Sequence, residues 1–436
     1  MNEHRIDHLG NRSPLTLSTR RGLLKVSLGS ALGALLAPSL PTAFGADNRS
    51  AKPTKAKSVI LIWLQGGPFQ HDSFDPKESR DDDLALKFGP IPTTAPNIKL
   101  ASCLPKLAQQ AQHLAIIRSM SGLELEHNLA IYHTQTGYRN SGPIRAPSIG
   151  SIVSHELGAT TTEGLPAYIS ISHPGHTSGY FGPAYKPTVV WDPTQPPQNL
   201  GLPEGVSPEI FQKRLRLLQA VESGAIGDSA NALTKRFESG RDAAVRFMSS
   251  KYRVAFDLER EPPATRTAYG ETKFGKGCLL ARRLIETGVR FVQVCHKNFD
   301  QHTQHYPKQT ELFQDLDHGM AMLINDLKVR GLLDQTIVVA AGEFGRTPKM
   351  NSSAGRDHWV NGYSIALAGG GFKGGYTYGS TLKKGQDVDE NPVSVPDFLA
   401  TLCTAVGLDP ETEYHDELQR PIKLVDNGQV IDELLA

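Results

Sequence analysis

The segment Thr336 to Trp359, TIVVAAGEFGRTPKMNSSAGRDHW, constrains the fold more than any other stretch, because an apolar run ends abruptly in polar, charged and glycine residues. Thr336 to Ala341 is β-branched and apolar on both faces, which suits a strand covered on both sides in an α/β sheet. Glu343 then falls just past a strand's C-terminal end, the edge where open α/β sheets bind ligands. Arg346, Asp357 and His358 follow on glycine-punctuated loop. Polar loops are ordinary, but acid, base and imidazole gathered at one strand end point to a metal or anion site.

Elsewhere strands and helices alternate. Ser58 to Leu64, Leu114 to Arg118, Ala167 to Ser172, Val289 to Cys295 and Ser364 to Ala368 read as further strands. Leu104 to Gln112, Lys273 to Glu286, Gln309 to Val329 and Pro396 to Val406 carry helical patterns. Such alternation predicts a three-layer α/β/α architecture around a mostly parallel or mixed sheet. Residues 207–256 are helical in composition and poor in strand formers, so a helical insertion is expected there, entered through the proline-rich Lys186 to Pro208.

At the N-terminus, Thr19-Arg20-Arg21-Gly22-Leu23-Leu24-Lys25 precedes the weakly apolar run Val26 to Ala37, then Pro38 and the small residues Ala43 to Ala46. Basic region, short apolar region and small-residue cleavage site make an export signal, here of the twin-arginine type, over residues 1–46. The apolar run is too short for a comfortable bilayer span, so no permanent membrane span is expected. These features predict transport by the twin-arginine export machinery and removal of the signal, leaving a periplasmic or secreted domain over 47–436. Forty-six Lys+Arg against 45 Asp+Glu leave a net charge of +1, with no bias toward nucleic acid. Cys103, Cys278, Cys295 and Cys403 are far apart within apolar segments, which favours buried free thiols over a zinc knuckle.

Three more clusters follow strand ends. His71, Asp72 and Asp75 lie after the first strand, where the two aspartates also suit turn and capping chemistry. Asp300-Gln301-His302-Thr303-Gln304-His305 follows another strand. Extended backbone puts Asp300 and His302 on one face, and a helical turn makes neighbours of His302 and His305, so either conformation presents two ligands together. Glu126-His127-Asn128 opens a short helix closed by Gly137, which stands His127 at a helix N-terminus favourable to anions.

The order of these segments resembles the alkaline phosphatase and sulfatase superfamily, most closely its bacterial branch of twin-arginine-exported sulfatase-like proteins, the domain-of-unknown-function 1501 group. The likeness rests on Gly66 through Lys77, on Asp300 with His302, on Gly342 to Pro348 (G-E-F-G-R-T-P) and on Gly355 to Trp359 (G-R-D-H-W), with Val395 to Leu408 similar to a late sulfatase helix. It implies an alkaline-phosphatase-like fold from about Ser58 to Leu408. There are departures. Phe344 stands where sulfatases carry a metal-binding histidine, His127 occupies the ungapped nucleophile position, and Gln65 lies near the place of a metal-binding aspartate.

The resulting expectation is a metal-dependent hydrolase acting on a sulfate, phosphate or related ester of a small molecule or glycan. Asp72, Asp300, His302, Glu343, Asp357 and His358 are candidate ligands for a divalent ion (zinc, manganese or calcium). Arg346 is expected to pair with an anionic substrate, and His127 to act as general base or a further ligand. The rival expectation is a non-catalytic cell-envelope protein that recognises an anionic glycan on the same fold.

Overall fold

Continuous runs of β-branched and aliphatic residues can satisfy their backbone only inside a sheet and their side chains only under cover on both faces. That is how strand β1 (Ser58–Leu64) sits, with every residue buried. The computed structural model describes residues 56–436 except 79–83, 141, 143–144, 163, 196–201, 203, 227–240, 243, 249 and 416–418. The export segment 1–46 and the middle of the expected helical insertion thus lie outside the described residues.

The other strands of the central sheet are β2 (Leu114–Ser121), β3 (Tyr168–Ile171), β4 (Thr188–Val190), β5 (Phe291–His296), β6 (Thr336–Ala341), β7 (Tyr363–Ala368), β8 (Tyr376–Tyr378) and β9 (Val393–Ser394). Together they form a nine-stranded sheet in the order β8-β2-β7-β6-β1-β5-β3-β4, with β9 beside β2. Strand β7 runs antiparallel to both neighbours, while the remaining pairs are parallel. The sheet is therefore mixed, as expected from the sequence.

Alternation along β1 divides the core in two. Ile60, Ile62 and Leu64 face one side with Leu279, Leu280 and Leu284 of a helix (Lys273–Glu286) and Phe313, Leu316, Met320 and Leu323 of a second (His305–Val329). Val59, Leu61 and Trp63 face the other, with Ile149, Ile152 and Val153 of a helix (Ile149–Glu156) and Phe398, Leu399 and Leu402 of another (Val395–Ala405). The last begins with a capping box in which Ser394 and Asp397 satisfy each other's backbone N–H groups. Two helical layers thus sandwich the sheet. Where only an irregular lead-in was expected at Lys186 to Pro208, Thr188–Val190 adds a parallel edge strand; three residues among prolines are too few to leave a period in the sequence. Within 207–256 the described residues include a helix at Pro208–Ile226 and a 3-10 turn at Lys251–Phe256.

Registers fix what leaves the C-terminal edge. Leu64 pairs with His296 and Trp63 with Ala341, so β1, β5 and β6 end together and release Gly66, Asp300 and Glu343 side by side. Strand β2 ends at the same edge, six residues before His127, and the reversed β7 begins there, five residues after His358.

Candidate metal centre

Close approach of loop backbone builds the site. Gly66 (φ +108°) and Gly67 (φ +79°) follow β1 in a region L side chains rarely enter. A Cβ on Gly66 would lie 2.4 Å from the Asp300 nitrogen, and one on Gly67 would lie 2.6 Å from the Phe344 ring. Glycine is therefore what lets the Asp300 and Phe344 loops fold over the strand end.

Three imidazoles gather around Asp300. His302 Nε2 lies 3.0 Å from Asp300 Oδ1 and 3.0 Å from His358 Nε2, and His358 Nε2 lies 3.3 Å from Asp300 Oδ1. From the other side, His127 Nε2 approaches Asp300 Oδ2 at 3.3 Å. Donor atoms of His127, Asp300 and His358 all lie within 4.8 Å of one another.

The partners of the opposite ring nitrogens assign the tautomers. His358 Nδ1 donates to the Leu125 carbonyl at 2.6 Å. His302 Nδ1 donates to Asp357 Oδ1 at 2.7 Å, and His127 Nδ1 to Glu343 Oε1 at 2.9 Å. In each neutral ring the proton is then on Nδ1 and the Nε2 lone pair points at Asp300. Lone pairs facing a carboxylate have no protein hydrogen to satisfy them, whereas a divalent cation on Asp300 Oδ1 would satisfy those of His302 and His358 together. Histidine ligands held through their far nitrogen by a carboxylate or carbonyl are the usual surroundings of a metal, so the residues fit the ion that the sequence led us to expect.

Electrostatics agree. Burial opposes ionisation of Asp300, but the hydrogen bond and charge of Arg346, helped by His302 and His127, hold its pKa down at about 2. The hydrogen bond from His127 to Glu343 raises the imidazole's pKa, against burial, while burial lowers that of His358. Protons and a cation therefore compete for these nitrogens. Phe344 stacks on His358 with centroids 4.2 Å apart and touches His127 at 5.1 Å, giving the cluster an apolar floor.

Other expected ligands sit farther out. Asp357 meets His302 Nδ1 and Asn351. Buried Glu343 spends Oε1 on the Gly66 N–H (2.8 Å) and His127, while its Oε2 is buried with no hydrogen-bond partner. Asp72 departs from expectation: it is fully buried, and its carboxylate lies 3.4 Å from His305 Nε2 rather than beside Asp300. His305 thus turns away from His302, because Gln304 adopts a left-handed conformation (φ +44°) at the helix start.

Arg346 differs most from the sequence reading. It is fully buried, and its guanidinium donates to the carbonyls of Gly67 (3.0 Å), Arg356 (3.0 Å) and Gly66 and to Asp300 Oδ1 (2.6 Å). That guanidinium clamps the loops together and has no face left for a substrate. All four cysteines are free and buried. The nearest to the cluster in sequence, Cys295, is pushed by burial to a pKa of about 12, which rules it out as a ready thiolate nucleophile. The Leu125 carbonyl was not legible as an anchor, since a backbone oxygen leaves no mark in residue type.

Residues 56–435 match the family described as "Protein of unknown function (DUF1501)". Among curated proteins none matches the sequence. Solved structures resemble the chain only distantly. The PsFucS1 sulfatase from Pseudoalteromonas sp. is 11% identical, with 86% of this chain and 73% of that one covered and a TM-score of 0.36. The lipoteichoic acid synthase LtaP from Listeria monocytogenes is 10% identical, with 86% and 76% covered and a TM-score of 0.35. The phosphonate monoester hydrolase SpPMH from Silicibacter pomeroyi is 12% identical, with 87% and 76% covered and a TM-score of 0.33.

Proposed function

The chain belongs to the DUF1501 family, and from that premise we propose that it is an exported, metal-dependent hydrolase of a sulfate, phosphate or related ester. The observation that carries this reading is the convergence of His302 Nε2, His358 Nε2 and Asp300 Oδ1 within 3.0 to 3.3 Å at the C-terminal edge of the sheet. Two imidazoles and a carboxylate suit zinc or manganese better than calcium, which prefers an all-oxygen shell. A cation held there supplies Lewis acidity toward an ester oxygen and acidifies water.

The chain's own residues supply the rest. Asp357 and the Leu125 carbonyl keep the two imidazoles in the ligating tautomer, and Arg346 fixes the rotamer of Asp300. His127 approaches Asp300 from its other oxygen, with Nδ1–H anchored on Glu343, a geometry that supports Nε2 as the general base. Water loses a proton to His127 Nε2 as its oxygen bonds to the sulfur or phosphorus. The S–O or P–O bond to the ester oxygen breaks, and that oxygen leaves with the bond electrons and takes up the proton His127 accepted, yielding an alcohol and sulfate or phosphate and restoring the neutral imidazole. Export rests on Arg20-Arg21 and the short apolar run after them. Among the described residues no helix is long and apolar enough to cross a membrane.

The test is hydrolysis of sulfate and phosphate monoesters by protein stripped with chelator and then reloaded. Activity that disappears with the metal and returns with zinc or manganese supports the proposal. A reloaded protein that binds an anionic glycan and cleaves no ester would be the binding protein instead.

A further inference from the structure

The turn after β1 and the first turn of the helix His305–Val329 bring together a polar pair that solvent does not reach. Asp72 ends the 3-10 turn Gln70–Asp72 and His305 opens the helix. Both side chains are 0% exposed, and Asp72 Oδ2 lies 3.4 Å from His305 Nε2. Gln309, also fully buried, follows His305 by four residues and so shares its helix face. Both carboxylate oxygens of Asp72, both ring nitrogens of His305 and both amide atoms of Gln309 lack a hydrogen-bond partner among the described residues. Buried polar atoms are nearly always paired, and a buried carboxylate either meets a cationic side chain or coordinates a metal.

No cationic side chain fills that role. Among the described residues His305 is the one ionisable side chain within ion-pair distance of the Asp72 carboxylate. Arg356, also fully buried, stacks on Phe69 at 3.8 Å and donates to the carbonyls of Leu84 (2.7 Å), Thr347 (3.1 Å) and Pro348. Phe69 meets the His305 ring edge-on with centroids 5.6 Å apart, and Tyr306 does so at 5.1 Å, so aromatic rings wall the pair. The separation of Asp72 and His305 is itself informative. At 3.4 Å it exceeds the N–H···O range of about 2.7–3.2 Å, whereas two atoms bound tetrahedrally to one ion at about 2.0–2.1 Å stand about 3.3–3.4 Å apart. Cys103 Sγ donates to the Asp72 carbonyl at 3.1 Å, which fixes the turn. The same cysteine lines a cleft of about 500 Å³ with Phe88 and Thr310, so Asp72 lies one residue away from an open route for an ion.

We infer that Asp72 and His305, with the amide oxygen of Gln309, hold a second divalent ion, zinc, which is separate from the centre at Asp300, His302 and His358 and ties the turn after β1 to the helix His305–Val329. A carboxylate, an imidazole and an amide oxygen are donors such an ion accepts. A closed site walled from water is of the structural kind, unlike the partly exposed one at the sheet edge. The inference stands without the ester-hydrolase reading, since it invokes no substrate.

The experiment counts zinc by elemental mass spectrometry in the full chain, produced in zinc-supplemented medium and purified without chelator. The parent should carry about two ions per chain and the H302A/H358A variant about one. The D72N/H305Q variant, whose amides can still hydrogen-bond to each other, should lose one ion relative to the parent, and combining the four substitutions should remove both. Should D72N/H305Q fail to fold, Gln309→Leu in the H302A/H358A background decides: it should bind the remaining ion at least about tenfold more weakly in competition with a chelator. Zinc that vanishes entirely in H302A/H358A, a count that D72N/H305Q leaves unchanged, or a remaining ion indifferent to Gln309→Leu overturns the inference and makes ordered water the partner of these buried atoms. A single ion that survives H302A/H358A and leaves with D72N/H305Q upholds this site and overturns the metal centre on which the hydrolase reading rests. A parent without zinc overturns both.

Discussion

Replacing Arg346 by lysine asks whether this guanidinium holds the loops together or faces the substrate. Its bonds to the carbonyls of Gly67, Arg356 and Gly66 and to Asp300 radiate in the plane of the fork. A lysine keeps the charge but concentrates it at one nitrogen, which cannot reach carbonyls on both sides. The ion pair itself contributes little to the total, because Asp300 is 41% exposed and solvent screens it to about 1 kcal/mol or less. Buried carbonyls dominate. Leaving two of them without a donor costs about 1–3 kcal/mol each, so Arg346→Lys should destabilise the fold by about 2–6 kcal/mol. The assay is urea unfolding of chelator-treated protein, which removes any linkage to metal binding. Metal affinity of the variant should also fall, since Asp300 loses the bond that orients it. A lysine variant with the parent's urea midpoint and metal affinity, but weakened binding of an anionic ester, would refute the clamp and restore Arg346 to the substrate.

Gly66→Ala forces a side chain into φ +108° and to 2.4 Å from the Asp300 nitrogen; it should cost at least about 2 kcal/mol in thermal unfolding and reduce metal retention. Asp75 tests acid stability: burial works against its charge, but His71, Lys77 and Arg118 hold its pKa below the ordinary 3.8. A depressed carboxylate stabilises above its unfolded value and loses that contribution as pH falls through the folded one. Asp75→Asn should therefore lower stability at pH 7 and flatten the loss below about pH 4, and an unchanged acid limb would count against the assignment. His127→Ala should keep the metal but lose about 10²–10⁴-fold in kcat, together with the basic residue's limb in the pH profile; loss of the ion instead would make His127 a ligand. Changing Arg20 and Arg21 to lysine should leave the precursor inside the cell, because the export receptor reads the guanidinium pair, and cell fractionation checks it.

Long elements were legible because their periods are long. Ser58–Leu64, Thr336–Ala341 and Lys273–Glu286 have the bounds read from the sequence. The edge strands Thr188–Val190 and Tyr376–Tyr378 were not, since three residues held mainly by backbone pairing carry no pattern. Residue type placed Asp300, His302 and His358 at one sheet edge, where they meet, while Glu343 reaches them only through His127. Which atoms point inward was not legible, because that depends on what occupies each far ring nitrogen: Asp357, Glu343 and the Leu125 carbonyl. Nor could charge alone separate a substrate-facing arginine from one fully bonded to carbonyls, or tell Asp72 beside His305 from a ligand near Asp300.

Anomalous diffraction from crystals of the zinc- or manganese-loaded protein tests the central claim most directly. The account predicts one strong peak, about 2.0–2.2 Å from each of His302 Nε2, His358 Nε2 and an Asp300 carboxylate oxygen. No peak among these three after loading, or a peak only between Asp72 and His305, would contradict it.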